Sequence, residues 1–323
     1  MYLSMVVPCF NEELGLQRFH DALVAALSEG VRDYEVILVD DGSTDRTLRE
    51  ARRLAAANPR FRYVSLSRNF GKESAMLCGL RHARGDRIAL LDADLQHPPE
   101  LLRRMLPLLD SGYDQVVARR SRSGERRWRS TLARAYYRAV RRFAGVRLLD
   151  GAGDFRVLSR RAADAVLSLP EHHRFSKGLF SWIGFDTAYV SFRGVPRRDG
   201  RSKWTFGALL EHGIDGLTSF NAKPLRMSIY LGALVVLASA AWVVRAAFET
   251  IVDGSVLPVD EALLVGLAGM GGLQLCFLGV LGEYLGRSYF ETKCRPHYLI
   301  KERSPELGAD VVARRLRPAE LVS

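Results

Sequence analysis

The chain contains 323 residues, carries a formal net charge of +11 and is 48% hydrophobic. This length fits two average domains, or one large α/β domain with an appended part, and either can bury a sizeable core. The four cysteines are far apart and show no C-x-x-C spacing, which argues against a zinc site and against a disulfide framework. A reducing compartment fits this pattern. Because no signal peptide precedes the first apolar segment, the N-terminal part is expected in the cytoplasm.

Short β-branched segments alternate with amphipathic helical patterns over the first third of the chain. The predicted strands cover 3–7, 34–39, 62–66, 87–91 and 115–118. The predicted helices cover 12–28, 44–57, 71–83 and 99–109. Helices that cross over between strands call for an α/β fold with a mostly parallel sheet, whose ligands bind at the carboxyl ends of the strands.

Polar clusters follow three of these strands, at 8–13, 40–43 and 92–94. All three should therefore meet at the ligand edge of the sheet. No strand is followed by G-x-G-x-x-G or by G-x-x-x-x-G-K-[ST], so neither a dinucleotide site nor a P-loop is indicated. A nucleotide at this edge must be held in another way.

The segment Asp92-x-Asp94 places two carboxylates at the end of a strand, on the same side of the backbone. Hard cations such as Mg²⁺ and Mn²⁺ prefer carboxylate oxygens and bridge to phosphates, and Gln96 offers a third oxygen. The pattern therefore predicts a divalent metal site. His97, a lone histidine, is interpreted as a residue near the site or on the surface, not as a ligand.

The pair Asp40-Asp41 ends the second strand and precedes Gly42-Ser43. Ser43 is suited to capping the following helix, and an aspartate is suited to a hydrogen bond with a ribose or nucleobase. Both readings remain open from the pattern alone.

Between residues 119 and 147 the chain has eleven arginines and a single acidic residue, Glu125, which gives a local net charge of +10. Such a block favours contact with phosphates, either of lipid headgroups or of an anionic substrate. Nucleic acid is another candidate partner, and a solvated helix face is the alternative without a ligand.

The last third of the chain contains two apolar stretches, roughly 227–244 and 262–282, each near the ~20 residues needed to cross a hydrocarbon core. Basic residues flank the pair and the connector is acidic, so the positive-inside rule puts both ends in the cytoplasm. Glycines in the second stretch permit close helix contact and predict a homo-oligomer. A buried hairpin in a soluble protein is the alternative. Residues 204–220 have the spacing of an amphipathic helix in the membrane interface.

Four of these segments together resemble family-2 glycosyltransferases of the GT-A fold. They are Val7-Pro8-x-x-Asn11-Glu12-Glu13, Val39-Asp40-Asp41-Gly42-Ser43-Thr44-Asp45, Ser67-Arg68-Asn69-Phe70-Gly71-Lys72 and Asp92-Ala93-Asp94-Leu95-Gln96-His97-Pro98-Pro99. Further segments resemble the dolichol-phosphate-mannose-synthase group and its bacterial GtrB-like branch. They are Gly153-Asp154-Phe155-Arg156, Arg174-Phe175-x-Lys177-Gly178-Leu179, Gly200-x-Ser202-Lys203-Trp204 and Glu283-Tyr284-Leu285-Gly286-Arg287. The resemblance runs from about residue 3 to about residue 298, and His97 departs from it, since that branch often has Asp there.

The resemblance implies a domain order and a reaction. Residues 1–203 would form the GT-A domain, 204–226 the interfacial region, 227–285 two transmembrane helices and 286–323 a cytoplasmic tail. The implied enzyme is an integral protein of the cytoplasmic membrane. It transfers a sugar, with inversion, from a UDP-glucose-like or GDP-mannose-like donor to a polyprenyl phosphate, and uses Mg²⁺ or Mn²⁺. Nucleic acid is not an expected partner.

The resemblance also implies roles for individual residues. The expected nucleotide-binding residues are Pro8, Glu12, Asp40, Asp41, Lys72 and Asp92. The expected metal ligands are Asp92, Asp94 and Gln96, and the expected catalytic residues are Asp94 and Asp154. The candidates for the acceptor phosphate are Arg119, Arg122, Arg126 and Lys203.

Asp154 resembles the base that has been proposed for the family. A phosphomonoester with a second pKa of about 6 is largely ionised at neutral pH, however, so little proton transfer is needed. A positioning role is therefore expected for Asp154, with a turn-capping role as the alternative.

Two other functions remain possible. A processive polysaccharide synthase would show Gln-x-x-Arg-Trp, but Gly124 stands where the Gln would precede Arg127-Trp128. A membrane-tethered protein that binds polyanions would account for the arginine block, but not for the carboxylate clusters.

Overall fold

A computed structural model describes residues 2–28, 30–121, 152–172, 174–193, 223–253, 259–305 and 307 of the protein. The strands are β1 (Leu3–Cys9), β2 (Tyr34–Asp40), β3 (Phe61–Leu66), β4 (Arg87–Leu90), β5 (Gln115–Ser121), β6 (Ala152–Ser159), β7 (Thr187–Arg193) and β8 (Ile300–Arg303). The helices are α1 (Leu16–Leu27), α2 (Thr47–Ala57), α3 (Lys72–His82), α4 (Leu102–Asp110), α5 (Arg160–Ser168), α6 (Ser176–Trp182), α7 (Lys223–Asp253) and α8 (Val259–Thr292). A 3₁₀ turn, Pro99–Leu101, leads into α4.

All eight strands form one mixed sheet in the order β7-β5-β6-β4-β1-β2-β3-β8. The central strands β4, β1, β2 and β3 are parallel, as predicted from the alternation of strands and helices. β6 runs antiparallel to both β4 and β5, and β8 runs antiparallel to β3 at the edge. The prediction of an α/β fold with a mostly parallel sheet is confirmed, while the antiparallel strands were not predicted.

Helices cover both faces of the sheet because alternate residues of each central strand point to opposite sides. Met5 and Val7 of β1 pack with α1 and α4, whereas Val6 packs with α3 and α5. Each face therefore has its own apolar core, and the loops at the strand ends are held between two packed layers.

The second half of the described chain contains two long helices, α7 with 31 residues and α8 with 34 residues. They cover the two apolar stretches that were predicted to cross the membrane. Searched over the described residues, no helix is both long enough and apolar enough to cross a membrane. The interfacial segment 204–222, the connector 254–258 and the tail beyond 307 lie outside the described residues.

The strand β8 returns from α8 to the eight-stranded sheet. It pairs with β3, and Leu299 accepts a hydrogen bond from the backbone of Ser67 at 2.8 Å. Arg52 of α2 forms a salt bridge with Glu302 of β8 at 2.5 Å. The segment after the long helices thus belongs structurally to the α/β domain.

A buried ion pair lies near the amino ends of the strands, away from the predicted ligand edge. The guanidinium of Arg62 is 2.7 Å from the carboxylate of Glu35, and the two side chains are 8% and 0% exposed. Glu35 also accepts hydrogen bonds from the Ser4 hydroxyl and from the backbone of Arg84. This carboxylate joins β1, β2, β3 and the turn before β4.

Removing one partner of a buried pair leaves an uncompensated charge. We expect Glu35→Ala to lower the free energy of unfolding by about 3–5 kcal/mol, measured by urea denaturation. The control is Arg52→Ala, which removes a salt bridge from a side chain that is 51% exposed, and we expect it to leave the free energy of unfolding nearly unchanged. Similar losses for both variants would contradict the structural importance of the buried pair.

Candidate active site

The loops that follow β1 and β2 are joined by hydrogen bonds. The backbone of Asn11 donates to the hydroxyl of Ser43 at 3.0 Å, and the Asn11 side chain accepts from the backbone of Thr44 at 2.9 Å. The backbone of Glu12 donates to the hydroxyl of Thr47 at 2.8 Å. Asn11 adopts a positive φ of 54°, a conformation that Asn tolerates better than most residues. Much of the polar sequence in these two motifs therefore builds the loops themselves.

The carboxylate of Asp41 fixes the loop between β3 and α3. It accepts hydrogen bonds from the backbone N–H groups of Phe70 at 2.8 Å and Gly71 at 2.9 Å. Burial raises the pKa of Asp41 above its usual value, although these two hydrogen bonds oppose the shift. The side chain lies at the edge of a cleft and holds one of its walls.

Asp40 lies below this edge, inside the sheet. Its side chain accepts hydrogen bonds from the backbone of Ser43 at 3.0 Å and from the hydroxyl of Ser65 at 2.7 Å, and the residue is 2% exposed. Of the two adjacent aspartates, the structure brings Asp41 to the cleft and uses Asp40 to join β2, β3 and the following turn.

Gly42 lies where the loops after β2 and β3 touch. Its φ is +65°, and a Cβ atom added there would be 2.3 Å from the carbonyl carbon of Arg68 and 2.6 Å from the backbone nitrogen of Asn69. A glycine is required here for both conformation and space.

Lys72, the first residue of α3, joins carboxylates from two strands. Its Nζ atom is 2.6 Å from Asp92 after β4 and 2.6 Å from Asp154 in β6. Although burial alone would lower the pKa of Lys72, the carboxylates of Asp154 and Asp92 raise it well above its ordinary value. The lysine is therefore a permanent cation at the centre of the site.

The first turns of α3 and α6 meet above Asp154. Glu73 accepts hydrogen bonds from the backbone and hydroxyl of Ser176, the first residue of α6. This places Lys177 with its Nζ atom 3.8 Å from Asp154. Burial would raise the pKa of Asp154, but Lys72, Lys177 and Arg156 lower it far below the usual carboxyl range.

Asp154 reaches the site because β6 is antiparallel. Leu90 of β4 pairs with Arg156 of β6, so the beginning of β6 lies beside the carboxyl end of β4. Asp92, two residues after Leu90, and Asp154, two residues before Arg156, therefore both come within reach of Lys72.

These loops enclose a cleft of about 620 Å³, which we call the donor cleft because residues predicted to bind the nucleotide of the sugar donor line it. It is lined by Pro8, Cys9, Phe10, Glu12, Asp41, Asn69, Gly71, Lys72, Glu73, Asp92, Ala93, Asp94, Gln96, Asp154, Phe175 and Lys177. All residues predicted for nucleotide, metal or catalysis line it except Asp40. No role was predicted for Glu73, Phe175 or Lys177, although the last two lie in a segment that carries the family resemblance.

The predicted acceptor residues are only partly described. Arg119 is an exposed residue of β5 and does not line the donor cleft. Arg122, Arg126 and Lys203 lie outside the described residues.

The oxygen atoms of Asp92, Asp94 and Gln96 offer a donor set that suits a hard divalent cation. One carboxylate oxygen of Asp94 also accepts a hydrogen bond from the backbone of Gln96 at 3.1 Å. Within the described ranges, no group of three or more His, Cys, Asp or Glu side chains is arranged as a metal site. The oxygen donors of these three residues are of the type that a divalent cation prefers. Lys72 contacts one of them, the carboxylate of Asp92.

His97 lies beside the donor cleft. Its ring is 5.1 Å from the ring of Phe192 and 5.8 Å from the ring of Phe155, between centroids. Burial lowers its pKa, although the carboxylates of Asp92, Asp94 and Asp154 oppose the shift. A Cβ atom added at Gly153 would lie 2.7 Å from His97 Nε2, so the glycine leaves room for the ring.

Comparison with known proteins gives consistent matches. The sequence model described as "Glycosyl transferase family 2" matches residues 4–167. "Putative glycosyltransferase CsbB" of Bacillus subtilis (strain 168) is 44% identical over 93% of this chain and 91% of its own length. "Bactoprenol glucosyl transferase" of Shigella phage SfX is 37% identical over 94% of this chain and 100% of its own length. A solved structure of glucosyl-3-phosphoglycerate synthase from Mycobacterium tuberculosis is 24% identical over 68% of this chain and 79% of that chain, with a TM-score of 0.47.

The contact at Gly42 can be tested with a matched pair of variants. We expect Gly42→Ala to weaken nucleotide binding at least tenfold, because the new Cβ atom pushes the Arg68–Asn69 backbone away from its position. Gly112→Ala is the control, since Gly112 also has a positive φ, +98°, but no atom within 4 Å of the added Cβ. Calorimetric titration with UDP measures the effect. Equal affinities of the two variants would show that the contact does not shape the cleft.

Proposed function

The chain belongs to glycosyl transferase family 2, and within this family we propose that it transfers glucose from a nucleoside-diphosphate glucose to a polyprenyl phosphate. The products are a polyprenyl-phosphate-linked glucose and a nucleoside diphosphate. The choice of sugar and acceptor is supported by the bactoprenol glucosyl transferases, which match this chain over nearly its whole length and their own.

The observation that carries the proposed activity is the donor cleft. It brings the carboxylates of Asp92, Asp94 and Asp154 to one edge of the sheet, with the ammonium groups of Lys72 and Lys177 among them. Such a site can hold a diphosphate near the two ammonium groups, while the carboxylates orient these ammonium groups and the proposed divalent cation. Apolar and backbone groups of Pro8, Cys9 and Phe10 complete the wall where a nucleoside would lie.

In the proposed reaction, an oxygen of the acceptor phosphate attacks the anomeric carbon of the sugar. The bond from this carbon to the nucleoside diphosphate breaks, and the leaving oxygen keeps the electron pair. Attack opposite the leaving group inverts the anomeric configuration. Lys72 is suited to stabilising the negative charge that develops on the diphosphate, because its pKa keeps it protonated at any physiological pH.

Asp154 is better suited to positioning than to proton removal. A general base works best when its pKa is near the working pH, whereas Lys72 and Lys177 hold the pKa of Asp154 far below that value, despite its burial. The acceptor phosphate is already ionised at neutral pH. We therefore assign Asp154 to orienting Lys72 and Lys177 around the reacting groups.

Asp92, Asp94 and Gln96 are the residues that would hold a divalent cation, Mg²⁺ or Mn²⁺. When bound, such a cation would neutralise charge on the departing diphosphate. Asp94 supplies the second carboxylate of the Asp92-x-Asp94 segment. The first, Asp92, would contact both the cation and Lys72.

We further propose that α7 and α8 form a membrane hairpin with the catalytic domain on the cytoplasmic side. Large apolar side chains are exposed along both helices; among them are Leu234, Leu237, Val244, Phe248, Leu264, Leu267, Leu275 and Leu278, each at least 60% exposed. A soluble monomer rarely leaves such a surface uncovered. The basic residues that flank the two helices support a cytoplasmic location for both ends of the hairpin. The proposed contacts with the acceptor phosphate are Arg119, Arg122, Arg126 and Lys203.

A donor panel tests the proposed function. With undecaprenyl phosphate and a nucleoside-diphosphate glucose, the purified protein should form a glucolipid and release the nucleoside diphosphate. Chromatography of the lipid fraction measures the glucolipid. UDP-glucose, UDP-N-acetylglucosamine and GDP-mannose are compared as donors. Absence of glycolipid with every donor would refute the proposal.

Two controls belong to this assay. EDTA and Asp94→Ala should each reduce transfer by at least a hundredfold, because both remove the proposed cation. Asp164→Ala changes an exposed carboxylate of α5 that is 58% exposed and should leave the rate unchanged. Full activity in EDTA would reject the metal assignment alone.

The role of Asp154 predicts a particular pH dependence. Asp154→Asn should lower kcat by a factor of roughly 10² to 10⁴ at every pH between 6 and 9, because a positioned charge is lost. Since the pKa of Asp154 is lowered, the wild-type rate should show no acid-side decline from this residue in that range. A pH–rate profile of the variant that approaches wild type near pH 9 would indicate a general base instead.

A further inference from the structure

A buried arginine lies beneath the donor cleft. Arg156 of β6 is 4% exposed and is not among the described residues that line the cleft. Because side chains alternate along a strand, it points to the same side of the sheet as Asp154, two residues earlier. The next residue on this side, Leu158, belongs to an apolar core. Arg156 therefore lies between the charged site and that core, where a charged side chain is rare unless it is paired.

Arg156 connects the start of β6 with α6. Its Nη2 atom donates to the backbone carbonyl of Gly153 at 3.2 Å, which fixes the residue directly before Asp154. Its guanidinium carbon lies 3.9 Å from the ring centre of Phe180 in α6. The same helix carries Lys177, whose ammonium group is 3.8 Å from Asp154. One side chain thus touches both of the elements that meet at this ion pair.

Stability alone does not account for a guanidinium at this position. Taking the group out of water costs free energy, and the Nε atom of Arg156 has no hydrogen-bond partner among the described residues. A well-packed apolar side chain in place of a buried charge is often neutral or stabilising. The retained charge therefore indicates a role in the site above it.

Two acidic residues of the site interact with this cation. Burial lowers the pKa of Arg156 to about 10, although the carboxylates of Asp154 and Glu73 oppose the shift. The guanidinium is therefore protonated at neutral pH. Burial would raise the pKa of Asp154, and the guanidinium joins Lys72 and Lys177 in lowering it. Asp154 thus has one cationic neighbour from its own strand besides the two lysines.

Arg156 differs from the two lysines in its access to a ligand. Lys72 and Lys177 line the donor cleft, where the diphosphate of the donor would attract their ammonium groups. Arg156 lies behind the cleft, so a bound diphosphate leaves it with its carboxylate neighbours. It is therefore suited to stabilising the ionised form of Asp154 when the lysines turn towards the donor.

We propose that Arg156 is a positioning residue for sugar transfer, which holds Asp154 and α6 in place while the two lysines bind the diphosphate. The part that concerns the reaction rests on the proposed function, whereas the connection between β6 and α6 rests on the contacts of Arg156 alone. Both parts converge on the contact between Asp154 and Lys177. Loss of the arginine should therefore have little further effect once that contact is gone.

The test compares Arg156→Met with Arg160→Met in the full chain. Met fills much of the apolar volume beside Phe180 but carries no charge. Arg160 is the matched control, because it follows the far end of β6 and donates to the backbone carbonyls of Gly85 at 3.1 Å and Ala83 at 2.9 Å. Arg156→Met should lower kcat about a hundredfold with the KM of the donor nearly unchanged, whereas Arg160→Met should keep the kcat of wild type. Equal kcat values of the two variants would overturn the proposal.

A double-mutant cycle with Asp154→Asn shows whether the arginine acts through Asp154. In the Asp154→Asn background, Arg156→Met should lower kcat by no more than about threefold, because the contact that it supports is already lost. Losses that multiply would contradict the proposal. Arg156→Lys, which keeps the charge but not the planar fork, should have about tenfold more activity than Arg156→Met. If Arg156→Met does not fold, the same cycle with Arg156→Lys decides by the same criterion.

Hydrogen exchange separates this inference from the proposed function. The backbone amides of α6 should exchange faster in Arg156→Met than in wild type, and Arg160→Met should leave their exchange unchanged. If wild type transfers glucose but Arg156→Met keeps both its kcat and the exchange of α6, the inference fails and the proposed function stands. If wild type transfers no sugar from any donor, the proposed function fails, while the exchange of α6 still decides whether Arg156 holds this helix.

Discussion

The contact of one ammonium group with two carboxylates determines how the site is assembled. Asp92 follows the parallel strand β4, Asp154 lies near the start of the antiparallel strand β6, and Lys72, the first residue of α3, contacts both carboxylates. Two carboxylates cannot remain ionised side by side in a partly buried site without a compensating cation. The lysine supplies that charge, and Glu73 beside it anchors α6, which brings in Lys177. Charge compensation and helix placement therefore depend on two consecutive residues of α3.

Local sequence patterns predicted the five strands and the helices between them, because alternation of apolar residues follows directly from burial on a two-sided sheet. They did not predict β6, since its place beside β4 depends on partners more than sixty residues earlier in the chain. For the same reason the sequence did not predict a role for Lys177, since its contact with Asp154 depends on the packing of α6. Asp92, Asp94 and Gln96 could be assigned to the ligand edge because they directly follow a strand.

The adjacent aspartates 40 and 41 show where a motif stops being informative. Either aspartate is suited to a hydrogen bond with a nucleotide, and the sequence does not tell which of the two carboxylates faces outward. In the structure Asp40 accepts hydrogen bonds from Ser43 and Ser65, while Asp41 holds the backbone of the loop before α3 at the cleft edge. Polar residues at a ligand edge therefore divide into those that meet the ligand and those that keep the loops rigid enough to receive it.

The outer strand β8 has a consequence for how the protein is made. Among the described residues it is the last strand, yet it covers the edge of β3, whose last residue, Leu66, precedes Ile300 by 234 positions. Until the ribosome has produced both long helices, β3 presents unpaired backbone groups that other chains can pair with. Closure of the sheet thus has to follow the synthesis of α7 and α8, and a fragment that ends before α7 retains a permanently open edge.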